Sequence, residues 1–139
     1  SEKYDLIATF DPKPISGDWN GSGMHSNFSY DYLRGVGGKK YIEALCEGFR
    51  PFHQDHIAVY GAGNERRLTG SHETASIEQF SFGASNRGAS IRIPLYTTTH
   101  DWKGYLEDRR PASDADPYLV VDRIMRTVKV AHAEAMKAV

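Results

Sequence analysis

Between Lys13 and Ser29 the chain reads KPISGDWNGSGMHSNFS, a stretch that gathers glycines, a histidine, amides and hydroxyls. Glycines 17, 21 and 23 carry no Cβ, so the backbone there can approach a ligand closely. The alternation from Met24 to Ser29 predicts a strand with His25, Asn27 and Ser29 on one side. A glycine-rich turn feeding a histidine, an amide and a hydroxyl in a row suits phosphate and metal handling. The same residue types fit the polar face of a hairpin equally well.

A second chemistry lies in the arginines at 66, 67, 87, 92, 109 and 110. The planar guanidinium fork binds carboxylate and phosphate bidentately, so several forks in one cleft would suit a substrate carrying both groups. By spacing alone they fit a solvated surface as well.

The elements that must position these groups are short. Asp5 to Phe10 reads as a strand ended by Asp11-Pro12. Gly37-Gly38 precede a helix with Ile42, Leu45, Cys46 and Phe49 at helical spacing, which Pro51 breaks. Gly61 to Gly70 reads as loop. Ala89 to Tyr96 alternates Ile91, Ile93 and Leu95 against Ser90, Arg92 and Pro94, a half-buried strand. Asp116-Pro117 starts a helix, with proline at its first position and an apolar stripe of Val120, Ile124, Val128 and Ala131. The pattern predicts an α+β domain, an antiparallel sheet with helices on one face. No repeat or linker divides it.

The bulk numbers narrow the function classes. With 139 residues, 40% hydrophobic and 25% charged, the chain is one soluble domain. Its net charge of −1 lacks the basic excess of a nucleic-acid binder. The single cysteine, Cys46, excludes an internal disulfide and a cysteine-based zinc site. No apolar run reaches membrane-span length and no signal peptide opens the chain, so a cytoplasmic setting is expected.

The run from Lys13 to Ser29 resembles the ATP-binding signature of glutamine synthetase in its eukaryotic-type (type II) form. Downstream, NERRLTGSHETASIEQF, SNRGASIRIP and KGYLEDRRPASDADPY resemble further blocks of that family in the expected order, so the similarity runs from about Phe10 to about Thr127. It implies the C-terminal part of a catalytic domain, a curved antiparallel sheet flanked by helices. The family's N-terminal domain and the first part of its catalytic domain would then lie outside these residues.

The resemblance also implies roles. Asn27, Phe28, Ser29, Tyr105, Leu106 and Glu107 fall where the family contacts ATP, and Asp18 and Trp19 where it contacts glutamate. Arg67 matches an arginine touching both, Arg87 and Arg92 those on nucleotide phosphates, and Arg109 the one that binds glutamate and steadies the phosphoryl group. His25 and Glu107 match ligands of one Mg²⁺ or Mn²⁺, other ligands coming from glutamates upstream. Glu73 matches a mobile flap glutamate that takes a proton from ammonium; read without the family, Ser71 to Thr74 is a simple turn. Asp114 departs from the family's usual Asn. The implied activity is ATP-dependent formation of glutamine from glutamate and ammonium through γ-glutamyl phosphate, in rings of identical subunits, with autonomous turnover by this chain doubtful. A ligase using another amine, or a non-catalytic assembly relative, is the alternative.

Overall fold

The computed structural model describes residues 2–139, and its longest element starts where the capping signal predicts. The Asp116 carboxylate accepts the Tyr118 N–H at 2.8 Å, and helix α5 runs Pro117–Ala135. Its buried stripe is Val120, Ile124, Thr127, Ala131 and Ala135, with Val128 half-buried. Helix α2 (Lys39–Glu47) buries Tyr41, Ile42, Leu45 and Cys46, while Lys39 and Glu43 pair at 2.5 Å on its outer side. The helix stops at Gly48, before Pro51, which sits in a 3₁₀ turn at Arg50–Phe52. Gly48 is needed for packing: a Cβ there would stand 2.6 Å from Ala131 Cβ. Two short helices, α1 (Asp31–Gly35) and α3 (His53–Ile57), flank α2 in sequence.

These helices cover one face of a four-stranded sheet, ordered β1-β4-β3-β2, built from β1 (Ser26–Phe28), β2 (Phe82–Ala84), β3 (Ile91–Ile93) and β4 (Leu106–Asp108). The α+β expectation holds. One pairing departs from the antiparallel pattern: β1–β4 and β3–β4 are antiparallel, but β2–β3 is parallel. Parallel neighbours ordinarily need a long crossover. Here each strand is only three residues long, and Ser85, at φ 53°, turns the chain back while its N–H donates to Ile93 O at 2.9 Å. The two-residue period sorts the faces. Ile91, Ile93, Leu106 and Asp108 are buried toward the helices, whereas Asn27, Glu107 and Arg92 line the other face.

Three local expectations are corrected. Asp5 to Phe10 is not a strand; Glu2–Tyr4 is a 3₁₀ turn, and Leu6, Ile7 and Phe10 are exposed with no sheet partner among the described residues. Strand β3 ends at Ile93, because Pro94 has no N–H for the ladder; Leu95 and Tyr96 open helix α4 (Leu95–Thr99) and are exposed. The segment from Gly61 to Gly70 holds a 3₁₀ turn at Asn64–Arg66 and buries Asn64, Arg67 and Leu68.

Beneath the sheet lies a chain of buried hydrogen bonds. Arg110 grips Asp108 at 2.9 and 2.7 Å, and Tyr60 donates to the same carboxylate at 2.7 Å. His56 Nδ1 meets the Tyr60 oxygen at 2.5 Å and its Nε2 meets Thr127 Oγ1 at 2.8 Å, to which Arg123 donates at 3.0 Å. One assignment satisfies every group: Arg123 to Thr127, Thr127 to His56, His56 to Tyr60, Tyr60 to Asp108. It requires neutral His56, and burial first, then the Arg110 charge, push that imidazole down to about 3. Burial pushes the Asp108 carboxyl up, but the charge and hydrogen bonds of Arg110 outweigh it and hold it below the usual range.

A pH dependence follows from His56. Between pH 3 and about 6.5 the unfolded imidazole binds a proton that the folded one does not, so stability is complete above that window and falls as pH falls. His25 and His53, also lowered first by burial, act in the same direction. From pH 7 to 5 the loss attributable to His56 is about 2 kcal/mol. Urea unfolding at the two pH values checks this; a His56→Gln protein should show the shallower slope.

Candidate functional site

On the open face of the sheet, strand register sets four positions in one row: Asn27 opposite Glu107, Glu107 opposite Arg92, Arg92 opposite Gly83. His25, two residues before Asn27, and Arg109, two residues after Glu107, extend the same face at the same end of the antiparallel pair. His25 Nδ1 lies 3.4 Å from Glu107 Oε1, and Arg109 Nη1 lies 3.3 Å from Glu107 Oε2 and 3.5 Å from the imidazole. Arg92 Nε stands 2.6 Å from Glu107 Oε2 without an aligned hydrogen bond. One carboxylate thus faces two guanidiniums, leaving the cluster short of negative charge. Burial first, then the Arg109 charge, lower the His25 pKa against the opposing pull of Glu107, so this imidazole presents a lone pair at neutral pH.

What holds the cluster is a bulge. Ser26 pairs with Asp108, but the next bridge is Gly23 with Ala112, so one strand spends an extra residue there. At the bulge Arg67 gathers three carbonyls: its Nη2 donates to Arg109 O, Arg110 O and Pro111 O at 3.1, 2.7 and 3.0 Å, the last of which also accepts the Met24 N–H. Its Nε donates to Asn64 Oδ1 at 3.1 Å, and Asn64 Nδ2 donates to Arg110 O at 2.7 Å. Burial, then the Arg109 charge, push the Arg67 guanidinium down to about 10. The glycines of the signature turn are explained here too. A Cβ at Gly21 would come within 2.5 Å of Arg67 Cγ, and one at Gly23 within 2.8 Å of Nη1. Their bareness makes room for Arg67.

The remaining arginines divide. Arg87 is on the rim, its carbonyl accepting from Arg109 Nε at 2.9 Å and its guanidinium 3.5 Å from Glu73. Arg66 ties back to Asp11 at 3.0 Å, and Arg110 is in the core with Asp108, so neither joins the cluster.

Glu73 sits on a loop closed by the Thr69–Ser76 bridge. His72 and Glu73 both adopt left-handed backbone, φ 54° and 60°, an arrangement that non-glycine residues keep only when held. Two contacts hold it: Arg109 Nη2 donates to Glu73 O at 3.4 Å, and His72 Nε2 lies 2.8 Å from Asp18. Asp18, His72, Arg67 and Lys13 line a cleft of about 500 Å³. Trp19, half-exposed, donates from its indole to Ile15 O at 3.2 Å, and its carbonyl accepts from Lys13 Nζ. Lys13 was not singled out in the sequence, because a lysine among loop residues carries no spacing signal.

On the far side of the row a larger cleft, about 770 Å³, is lined by Ser29, Arg34, Tyr96, His100, Lys103 and Tyr105. Ser29 Oγ donates to Gly104 O at 2.5 Å, and the Tyr96 and His100 rings stack at 3.9 Å. Arg34 and Lys103 are cations that sequence reasoning missed. Phe28 and Leu106 differ from the other expected ATP contacts: Leu106 is fully buried, and Phe28 stacks on Phe49 at 5.5 Å, so their side chains serve the core. Leu106 has only its backbone to offer a ligand, and Phe28 is half-buried.

Among the described residues no group of three or more His, Cys, Asp or Glu could hold a metal ion. The His25–Glu107 pair supplies one nitrogen and one carboxylate, a donor set that fits a divalent cation as two of its ligands. No helix among those residues is long and apolar enough to cross a membrane.

No family model matches the chain. Curated relatives do. Glutamine synthetase of Colletotrichum gloeosporioides is 56% identical over 128 residues, 92% of this chain and 35% of the relative. That of Bradyrhizobium diazoefficiens is 54% identical over 92% of this chain and 38% of its own length. The glutamine synthetase cytosolic isozyme of Pinus sylvestris is 51% identical over 91% and 35%. Among solved structures, ligand-free GmaS superposes with a TM-score of 0.72 at 26% identity, over 96% of this chain and 31% of that one. Plasmodium falciparum glutamine synthetase gives 0.70 at 24%, over 95% and 27%, a likeness of fold. The chain belongs to the glutamine synthetase family, and it spans a little over a third of the length of the curated relatives it matches.

Proposed function

We propose that this chain contributes the phosphate- and glutamate-handling part of a glutamine synthetase site, corresponding to the C-terminal part of the catalytic domain. The whole protein would make glutamine from glutamate, ammonium and ATP. The observation that carries the reading is the convergence of His25, Arg92, Glu107 and Arg109, from three different strands and their extensions, onto one open face. Retention of that cluster argues against a non-catalytic relative.

The chemistry follows from charge. Phosphoryl transfer to the γ-carboxylate of glutamate concentrates negative charge that a site must spread and neutralise. Arg92 and Arg109 face the point where that charge would build, and Arg87 flanks them. Arg67 is held by carbonyls through Nε and Nη2, so only its Nη1 side faces the cleft; its main part is to set the backbone that aims Arg109. His25 and Glu107 would hold one Mg²⁺ or Mn²⁺, which when bound supplies charge neutralisation at the phosphates. The larger cleft, with Ser29, Tyr105, Arg34 and Lys103, suits the rest of the nucleotide, and the smaller one, with Asp18, Arg67 and Lys13, suits glutamate, with Trp19 beside Asp18 in the chain. Glu73, on the loop closed by the Thr69–Ser76 bridge, would attract ammonium and take its proton. Neighbouring subunits of a ring would complete the site. A cytoplasmic location agrees with the cytosolic Pinus relative.

Grafting decides the reading. Placed in a relative's chain in exchange for the matching segment, residues 1–139 should support glutamine formation from ATP, Mg²⁺, glutamate and ammonium, while the chain alone should form little. A folded, assembled graft without activity would sink the proposal.

A further inference from the structure

The contact between Arg92 and Glu107 is close but incomplete. Arg92 Nε approaches Glu107 Oε2 to 2.6 Å, yet this buried nitrogen has no hydrogen-bond partner. The carboxylate already has Arg109 at 3.3 Å on the same oxygen and His25 at 3.4 Å on the other. Arg92 is therefore attracted by charge and unsatisfied in geometry. A quarter of its side chain is exposed, so the guanidinium can turn outward from the sheet. A buried donor without an acceptor is costly, and an oxyanion in front of the sheet could offer Arg92 aligned, charge-assisted bonds. Glu107 would then lose one of its two cationic neighbours.

We infer that Arg92 and a divalent cation compete for Glu107, so that an oxyanion which draws Arg92 away prepares the carboxylate for the cation. The inference rests on reading His25 and Glu107 as a cation pair. Anion and cation are then coupled through a contact of this chain, in addition to any chelation of one by the other. Coupling of this kind is reciprocal: the cation, by occupying Glu107, frees Arg92 for the anion.

The test uses Mn²⁺ and inorganic sulfate on the chain itself, with Mn²⁺ binding followed by paramagnetic resonance. Sulfate should tighten Mn²⁺ binding to the wild type by about tenfold, within the range usual for coupled sites. Arg92→Met should bind Mn²⁺ without sulfate about as tightly as the wild type binds it with sulfate, on the same coupling argument, and sulfate should add nothing. Simple removal of a repelling charge also tightens binding, so the lost sulfate response is the decisive result. A wild type insensitive to sulfate, or an Arg92→Met protein that keeps the sulfate effect, overturns the competition. Glu107→Gln separates the two readings: persistence of Mn²⁺ binding in that variant overturns the cation pair instead. If the chain holds no Mn²⁺, the cation pair and the competition built on it are overturned together.

Discussion

Asp108→Ala should remove about 3–5 kcal/mol of stability, a large share of what holds the domain folded. The substitution leaves Arg110, 1% exposed, with its charge buried and its carboxylate gone. It also strips the Tyr60 hydroxyl of its acceptor and disturbs the chain of bonds through His56 to Thr127. Removing one partner of a buried ion pair costs about 3–5 kcal/mol, against a total of roughly 5–15 for a domain. Asp108→Asn keeps the shape and one acceptor, so it should fall between. The loss belongs to the unpaired charge more than to the bond itself. Asp108→Ala with Arg110→Met should therefore be more stable than Asp108→Ala alone, a sign opposite to additivity. Urea unfolding of the wild type, Asp108→Ala, Arg110→Met and the double variant measures the coupling. An Asp108→Ala protein within about 1 kcal/mol of wild type would show that Arg110 finds another partner or water.

The same residues show where sequence reading succeeds and where it stops. Helix α5 was legible because its determinants are local: the Asp116 cap, Pro117 at the first position, and a stripe at helical spacing. Strand β4 carries no such local signal: Leu106-Glu107-Asp108 buries a leucine and an aspartate on one side, and only pairing with β1 and β3 sets which side faces the helices. Asp5 to Phe10 had a strand's composition, but a strand exists only with a partner. The family motifs named His25, Glu107 and Arg109, and the structure brings them within 3.5 Å of one another. Nothing in NERRLTG says that Arg66 turns out to Asp11 while its neighbour turns in beneath a bulge. That bulge is a register mismatch between distant segments, and local patterns carry no record of it. Phe28 and Leu106 show the converse. A motif groups them with ATP contacts, and packing assigns their side chains to the core.

In the grafted enzyme, Glu73→Ala should lower glutamine formation by about 10²–10⁴-fold, the usual cost of a lost general base, with nucleotide affinity retained. The structure separates the carboxylate from the backbone that carries it. Arg109 holds the Glu73 carbonyl at 3.4 Å, a contact any residue at this position can keep, whereas only the carboxylate reaches Arg87 at 3.5 Å. The backbone at φ 60° adds a control that alanine does not provide. Glycine enters the left-handed region without the steric cost of a Cβ, so Glu73→Gly should leave this turn intact while deleting the base. Glu73→Gln keeps the length and hydrogen bonding and removes only the basicity. If Glu73 acts on ammonium, all three variants fall together in glutamine formation, and none loses ATP. If Glu73 instead maintains the loop, Glu73→Gln should be nearly wild type and Glu73→Ala worse than Glu73→Gly. Rates for the three variants at saturating ATP, with nucleotide binding measured separately, distinguish the two patterns.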